Sequence, residues 1–198
     1  MMKLSLLNAV NTLLSNIGQS PVTSLESPNP LVAMSTAVID EVNRSVQAEG
    51  WVFNSEQGYP FPIDINGEIP IPENVLSLDT NRLDNRSMPV IREGKLYDKY
   101  NHTFVFKTNQ ELDVVWLFDF EDLPEAFKNY ITIRAANLFA MRSTGSAEIA
   151  KYSEREELNA RAAVMQYEAK QGDYNMLSNR QGQNIVPGYL PLNTVYRY

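Results

Sequence analysis

The 198-residue chain contains no cysteine, which excludes a disulfide framework, thiolate zinc sites, iron–sulfur ligation and cysteine nucleophiles. It contains one histidine, His102, so no site can be built from two imidazoles, and any histidine-dependent triad would hang on that residue. His102 lies in Tyr100-Asn101-His102-Thr103-Phe104 without a partner at fixed spacing, and reads as a loop or turn residue. Glycine is sparse at nine residues, and neither GxxxxGK[ST] nor GxGxxG occurs, so nucleotide binding has no support. The acidic spacing of an EF-hand is absent as well. No apolar run approaches the roughly 20 residues needed to cross a bilayer, and the N-terminus lacks the uninterrupted apolar centre of an export signal. The expectation is a soluble protein made in a cytoplasm.

What is present is an ordinary globular composition, 43% hydrophobic and 21% charged. Seventeen basic against twenty-four acidic residues give a net charge of −7 and a pI near 4.8. That is the wrong sign for gripping nucleic acid through its phosphates.

Apolar spacing then divides the chain. Leu6, Val10, Leu13 and Ile17 recur in threes and fours up to Gly18, which predicts a first helix. Ser27-Pro28-Asn29-Pro30 supplies a cap before Leu31, Met34, Val38, Val42 and Val46, a second helix running to about Glu49 with Gly50 as its left-handed stop. From Trp51 to Phe120 the texture is β-rich, with five of the eleven prolines. Strands are expected at Glu68–Ile71 on an edge, at Val75–Leu78, at Phe104–Phe106, and at Asp113–Phe118 lying against the helices. Val90–Arg92 and Lys95–Tyr97, joined by Glu93-Gly94, should form a two-residue hairpin. Asp122-Leu123-Pro124-Glu125 reads as a capped helix start, with Phe127, Tyr130, Ile131, Ala135, Leu138 and Phe139 inward. A fourth helix after Ser146 should turn Ile149, Tyr152, Ala160, Ala163, Val164 and Tyr167 to one side, and Glu154 to Glu157 and Arg161 to the other.

The fold class expected is therefore α+β. A bundle of four helices occupies residues 1–50 and 121–172, a β-rich insertion occupies 51–120, and an extended tail occupies 173–198. That tail has three formal charges, Asp173, Arg180 and Arg197, and four tyrosines. A segment so poor in charge and without periodicity wraps its own domain or lies on a neighbour.

Catalytic chemistry finds little footing. Glu121 with Asp122, Glu156 with Glu157, and Asp113 with Asp119 are the available carboxylate pairs. Adjacent positions on a helix point about 100° apart, which argues against Glu156 with Glu157. Asp122 has a capping role to account for it. Ser143-Thr144-Gly145-Ser146 lacks the glycines of a nucleophile elbow.

Taken in order, Ile17-Gly18-Gln19-Ser20-Pro21-Val22, then Glu49-Gly50-Trp51-Val52-Phe53-Asn54, then Leu123-Pro124-Glu125-Ala126-Phe127-Lys128-Asn129-Tyr130-Ile131, and Gly172-Asp173-Tyr174-Asn175-Met176-Leu177 resemble the tail tubular protein A family of short-tailed bacteriophages. The resemblance covers nearly the whole chain. It implies a structural virion protein in the phage tail, a head-to-tail adaptor ring of twelve subunits. The implied partners are the portal protein, the tail nozzle protein (tail tubular protein B) and tail fibres, with DNA passing through the channel. It implies no catalytic residue, cofactor or metal. Tyr189, Leu190, Leu192 and Tyr196 are the expected assembly contacts, on the portal or an adjacent subunit. The alternative is a virion-associated polysaccharide hydrolase built on a carboxylate pair, and a third is a monomeric host-side binding module.

Overall fold

The computed structural model describes residues 4–79, 88–144 and 147–171. In chain order these form α1 (Leu6–Asn16), α2 (Pro30–Gln47), β1 (Ser55–Phe61), β2 (Val75–Asp79), β3 (Pro89–Arg92), β4 (Lys95–Asp98), β5 (Gln110–Trp116), a 3-10 turn at Phe120–Asp122, α3 (Glu125–Thr144) and α4 (Ala147–Gln171). The mixed α+β class expected from the sequence is what is found. The C-terminal tail lies outside the described residues.

Each helix starts where its local chemistry permits. Ser5 Oγ accepts from the Asn8 amide, and Asn29 Oδ1 accepts from the Leu31 amide with Pro30 in the first turn, so side chains satisfy N–H groups that the helix leaves unpaired. One more such donor is met from across the fold, Leu6 N by Glu121 Oε1 at 2.8 Å, and Glu125 Oε1 accepts from Leu4 N, just before the cap, at 3.0 Å. The expected cap at Asp122 is not found. Asp122 closes the 3-10 turn, α3 begins at Glu125, and the Pro124 carbonyl accepts from the Phe127 and Lys128 amides.

The third helix is the centre of the bundle, packed on α1, α2 and α4. Phe127, Ile131, Ala135 and Phe139 are fully buried, and Lys128 and Thr132 are buried with them. Lys128 Nζ finds a partner there, donating to the Glu121 carbonyl at 2.6 Å, as a buried polar group requires. Trp51 meets Phe127 edge-on with centroids 5.1 Å apart, Phe53 lies 4.5 Å away, and Tyr167 of α4 closes the cluster at 6.0 Å.

Between α2 and α3 the strands form two antiparallel units, β1-β5-β2 and β3-β4. The Glu93-Gly94 hairpin is as expected, both residues holding positive φ (54° and 69°), the geometry a two-residue turn needs to follow strand twist. Three strand expectations change. Glu68–Ile71 makes an isolated bridge at Pro70 with Lys95, because Pro70 and Pro72 cannot donate to a ladder. Phe104–Phe106 is irregular, held by Phe106 N donating to the Gly67 carbonyl. The β5 strand does not lie against the helices: its buried Leu112 and Val114 face a separate small core of Phe61, Ile69, Ile71, Leu96 and Phe106. The first strand, β1, is unanticipated. Ser-Glu-Gln-Gly-Tyr-Pro-Phe carries little apolar alternation, and its pairing with β5, across a bulge between Glu56 and Tyr59, makes it a strand.

Candidate assembly surfaces

The join between bundle and sheet is a buried network of amides. Gln47 is fully buried. Its Nε2 donates to the Phe118 carbonyl at 2.8 Å, its Oε1 accepts from the Phe118 amide at 2.9 Å, and Asn43 Oδ1 accepts a second Nε2 bond at 2.8 Å. Asn54 answers from the other side, accepting from Trp51 N at 2.8 Å and donating to the Gln47 and Trp116 carbonyls at 2.9 and 2.8 Å. Gly50 makes the entry possible. It turns at φ +74°, and a Cβ there would stand 3.4 Å from Val115 Cγ2.

The fourth helix is attached by charge as much as by packing. Arg161 forks onto Glu49, Nη1 to Oε1 at 3.1 Å and Nη2 to Oε2 at 2.8 Å, and also donates to the Tyr130 hydroxyl. These hydrogen bonds, to Glu49 first and Tyr130 second, push its pKa further up. Glu157 accepts from Asn137 and pairs with Arg134. Arg161 and Glu157, expected on the solvent side, are therefore half-buried anchors, whereas Ala163, expected inward, is exposed. The expectations for Ile149 and Tyr152 fall on side chains outside those described.

No expected carboxylate pair is assembled into an acid–base site. Asp113 accepts from the Gly58 amide at the β1 bulge, Glu121 serves the α1 N-terminus, and Glu157 serves α3. Glu156 is the one carboxylate lining a cleft of about 290 Å³ between α1, α3 and α4. Asp40 lies exposed on α2, its carboxyl raised by partial desolvation and then by the charge of Asp119, with Arg44 opposing. His102 sits in the turn closed between Asp98 and Thr103, at φ +54°. Among the described residues no cluster could hold a metal, and no helix is long and apolar enough to cross a membrane.

The outer faces of the helices differ in kind. On α1, Asn8, Thr12, Ser15 and Asn16 are exposed and all polar, the last three lining the cleft between α1, α3 and α4, where Asn16 Nδ2 donates to the Ala136 carbonyl at 3.3 Å. On α4, Leu158 is 66% exposed and Met165 52% exposed, with Ala162 and Ala169 exposed beside them. Far from the bundle core, Ile65 stands fully exposed on a turn whose Asp64 carboxylate accepts from the Asn66 and Glu68 amides. Large apolar side chains held in water on ordered elements mark contact surfaces. The assembly residues expected from the sequence, Tyr189, Leu190, Leu192 and Tyr196, lie outside the described residues.

A chain with amide-locked joints, apolar outward faces and scattered carboxylates is organised for contact, and its relatives agree. The profile of the tail tubular protein family matches residues 7–174. The chain belongs to the tail tubular protein family. Tail tubular protein A of Klebsiella phage KP34 is 28% identical over 155 residues, covering 76% of this chain and 80% of that protein. This family member is a structural component of a phage tail. Gln47 and Arg161 carried no signal in a single sequence. Asn54 did, as the last residue of the Gly-Trp-Val-Phe-Asn segment.

Proposed function

We propose that the chain is the head-to-tail adaptor, assembling as a ring of about twelve copies between the portal protein and the tail nozzle protein, with tail fibres nearby and the genome passing through its channel. The observation that carries the reading is family membership joined to an outward apolar face on α4. A ring subunit needs adhesive surface on more than one side, because neighbours in a closed ring meet through different patches. Ring closure then multiplies weak contacts, since the last subunit enters at high effective concentration. The net charge of −7 suits a conduit that must not hold its DNA. The tail from 173 onward, through Tyr189, Leu190, Leu192 and Tyr196, is the proposed docking segment for the portal or a neighbour.

Light scattering on a sizing column, with the chain alone and mixed with its cognate portal protein, tests this. A ring-sized mass in either sample supports the adaptor. A monomer indifferent to portal overturns it. Truncation after Leu177 should abolish docking, and infectious particles built from the truncated chain would remove the tail from the proposal.

A further inference from the structure

The turn that carries Ile65 is fastened from several directions. The Asp64 amide donates to the Glu68 carbonyl at 2.7 Å, and the Gly67 amide to the Asp64 carbonyl at 3.0 Å. The Asp64 carboxylate accepts from the Asn66 and Glu68 amides, both at 2.8 Å, and Phe106 N ties the Gly67 carbonyl to a later segment at 2.8 Å. Gly67 takes φ +78°, so Ile65, Asn66 and Gly67 form a three-residue turn with glycine in the left-handed place. What the turn presents to water is a fully exposed Ile65 and an exposed Asn66.

Asn66 is followed by glycine, and no other asparagine of the chain is. That pairing has a chemistry of its own. The side-chain amide of an asparagine is electrophilic at Cγ, and the nitrogen of the next residue can reach it and close a five-membered ring. A side chain on that next residue crowds the approach, and glycine has none. As the bond from Gly67 N to Asn66 Cγ forms, Nδ2 leaves with the displaced proton as ammonia, and a cyclic imide remains. Water then opens the imide. Breaking the bond from Cγ to Gly67 N restores the ordinary backbone with aspartate at position 66. Breaking the bond from the main-chain carbonyl carbon instead leaves the chain running through Cβ and Cγ, an isoaspartate. One water enters and one ammonia departs, with no oxidation or reduction.

The fold restrains the first step. The proton that must leave Gly67 N is donated to the Asp64 carbonyl, and the Asn66 side chain is hydrogen-bonded to the Asp64 carboxylate. Ring closure has to break both. A carboxylate in the same turn also opposes the negative charge that grows on the attacking nitrogen as it sheds its proton. Hydrogen bonds from the Glu68 amide first, and then from Asn66, hold that carboxyl below its ordinary pKa, so the opposing charge is present at neutral pH.

We propose that Asn66 is a site of spontaneous deamidation, with water as its co-reactant and Asp64 as its brake, and that the isoaspartyl product releases the tip on which Ile65 stands. Either product adds one negative charge to the chain's −7, beside Asp64 and Glu68. Isoaspartate also adds a carbon to the backbone of a turn whose two ends are joined between Asp64 and Glu68, so the turn no longer fits its bonds to Glu68 and Phe106. The tip is thereby lost with age, at a rate set by pH and by the grip of Asp64. This inference concerns the covalent chain and stands apart from the adaptor reading.

The test keeps the full-length chain at mildly alkaline pH in water enriched in oxygen-18 and maps its peptides by mass over days. Residue 66 should gain the mass difference between an amide and a carboxyl group together with the heavy oxygen, as paired aspartyl and isoaspartyl peptides, before any other asparagine reacts. Asp64→Ala, at an unchanged thermal melt, should react about fivefold faster, the factor that one ordinary hydrogen bond is worth. The unmodified chain in urea, where the turn is freed without a substitution, should also outpace the folded chain. Amide exchange at Phe106 should quicken in the isoaspartyl fraction. An Asn66 that stays intact, or that another asparagine outpaces, overturns the proposal. Equal rates in the folded and urea-treated chains, or in the parent and Asp64→Ala, overturn the brake, and slow exchange at Phe106 in the isoaspartyl fraction overturns the release of the tip.

Discussion

Asp98 shows how one side chain can carry a loop. It is 4% exposed, and it accepts from the amides of Met88 at 3.1 Å and Tyr100 at 2.8 Å, and from Asn101 Nδ2 at 2.6 Å. Burial works to raise its pKa, but the hydrogen bonds from Asn101, Met88 and Tyr100 outweigh it and bring the value down to about 2. Because the folded value lies below the unfolded 3.8, the unfolded chain takes up the proton first as acidity rises. The contribution is complete above about pH 4 and is lost as pH falls toward 2. Asp98→Ala should cost about 1–3 kcal/mol at neutral pH, the usual penalty for stranding buried donors. In urea titrations the gap between variant and parent should close between pH 4 and pH 2, and a gap independent of pH would contradict this account. Nothing in the sequence announced Asp98, since an aspartate after a short strand has no periodic signature. His102 was legible as a turn residue because so little surrounded it that chemistry could use.

At the scale of elements, legibility followed the source of order. Helices whose apolar spacing and caps agree, such as α1 and α2, were readable almost to their ends. The hairpin was readable because Glu93-Gly94 is itself the turn. The β1 strand was not, since long-range pairing with β5 makes it a strand, and the role of Arg161 was hidden because a charge on a helix ordinarily means solvent. The joint at Asn54 was hidden because it ties the nearby Trp51 and Gln47 to Trp116, which is distant in the sequence. Asn54→Ala leaves the Trp51 amide and the Gln47 and Trp116 carbonyls short of a partner, and should lower stability by about 2–3 kcal/mol, read as a reduced urea midpoint at constant slope. Arg161→Ala should act locally. Amide exchange should quicken across residues 154–171, which lose their fork to Glu49, and remain slow across the buried turns of α3 around Phe127 and Ile131. Uniform quickening of both helices would show that α4 and α3 open as one unit.

For the whole molecule, the charge balance sets the relation to DNA. An acidic surface releases no condensed counterions from a duplex, so affinity should fall below the ordinary non-specific range, a Kd weaker than about 10⁻⁴ M at physiological salt. Fluorescence anisotropy with a labelled duplex measures it, and binding that strengthens as salt is lowered would reveal a basic stripe. The family was legible in four short segments, two of which are now seen at work. Glu49 to Asn54 builds the amide joint, and Leu123 to Ile131 opens the central helix.

That joint has a mechanical meaning. The Gln47 amide gives to and takes from Phe118 as a neighbouring strand's backbone would, so the exit from β5 is gripped by a side chain imitating a length of sheet. A pull on the sheet along its strands would load these bonds and those of Asn54 together, in shear, and not peel them one after another. In a structural component of a phage tail, such a grip would resist rupture while leaving the two halves of the chain free to be shaped separately.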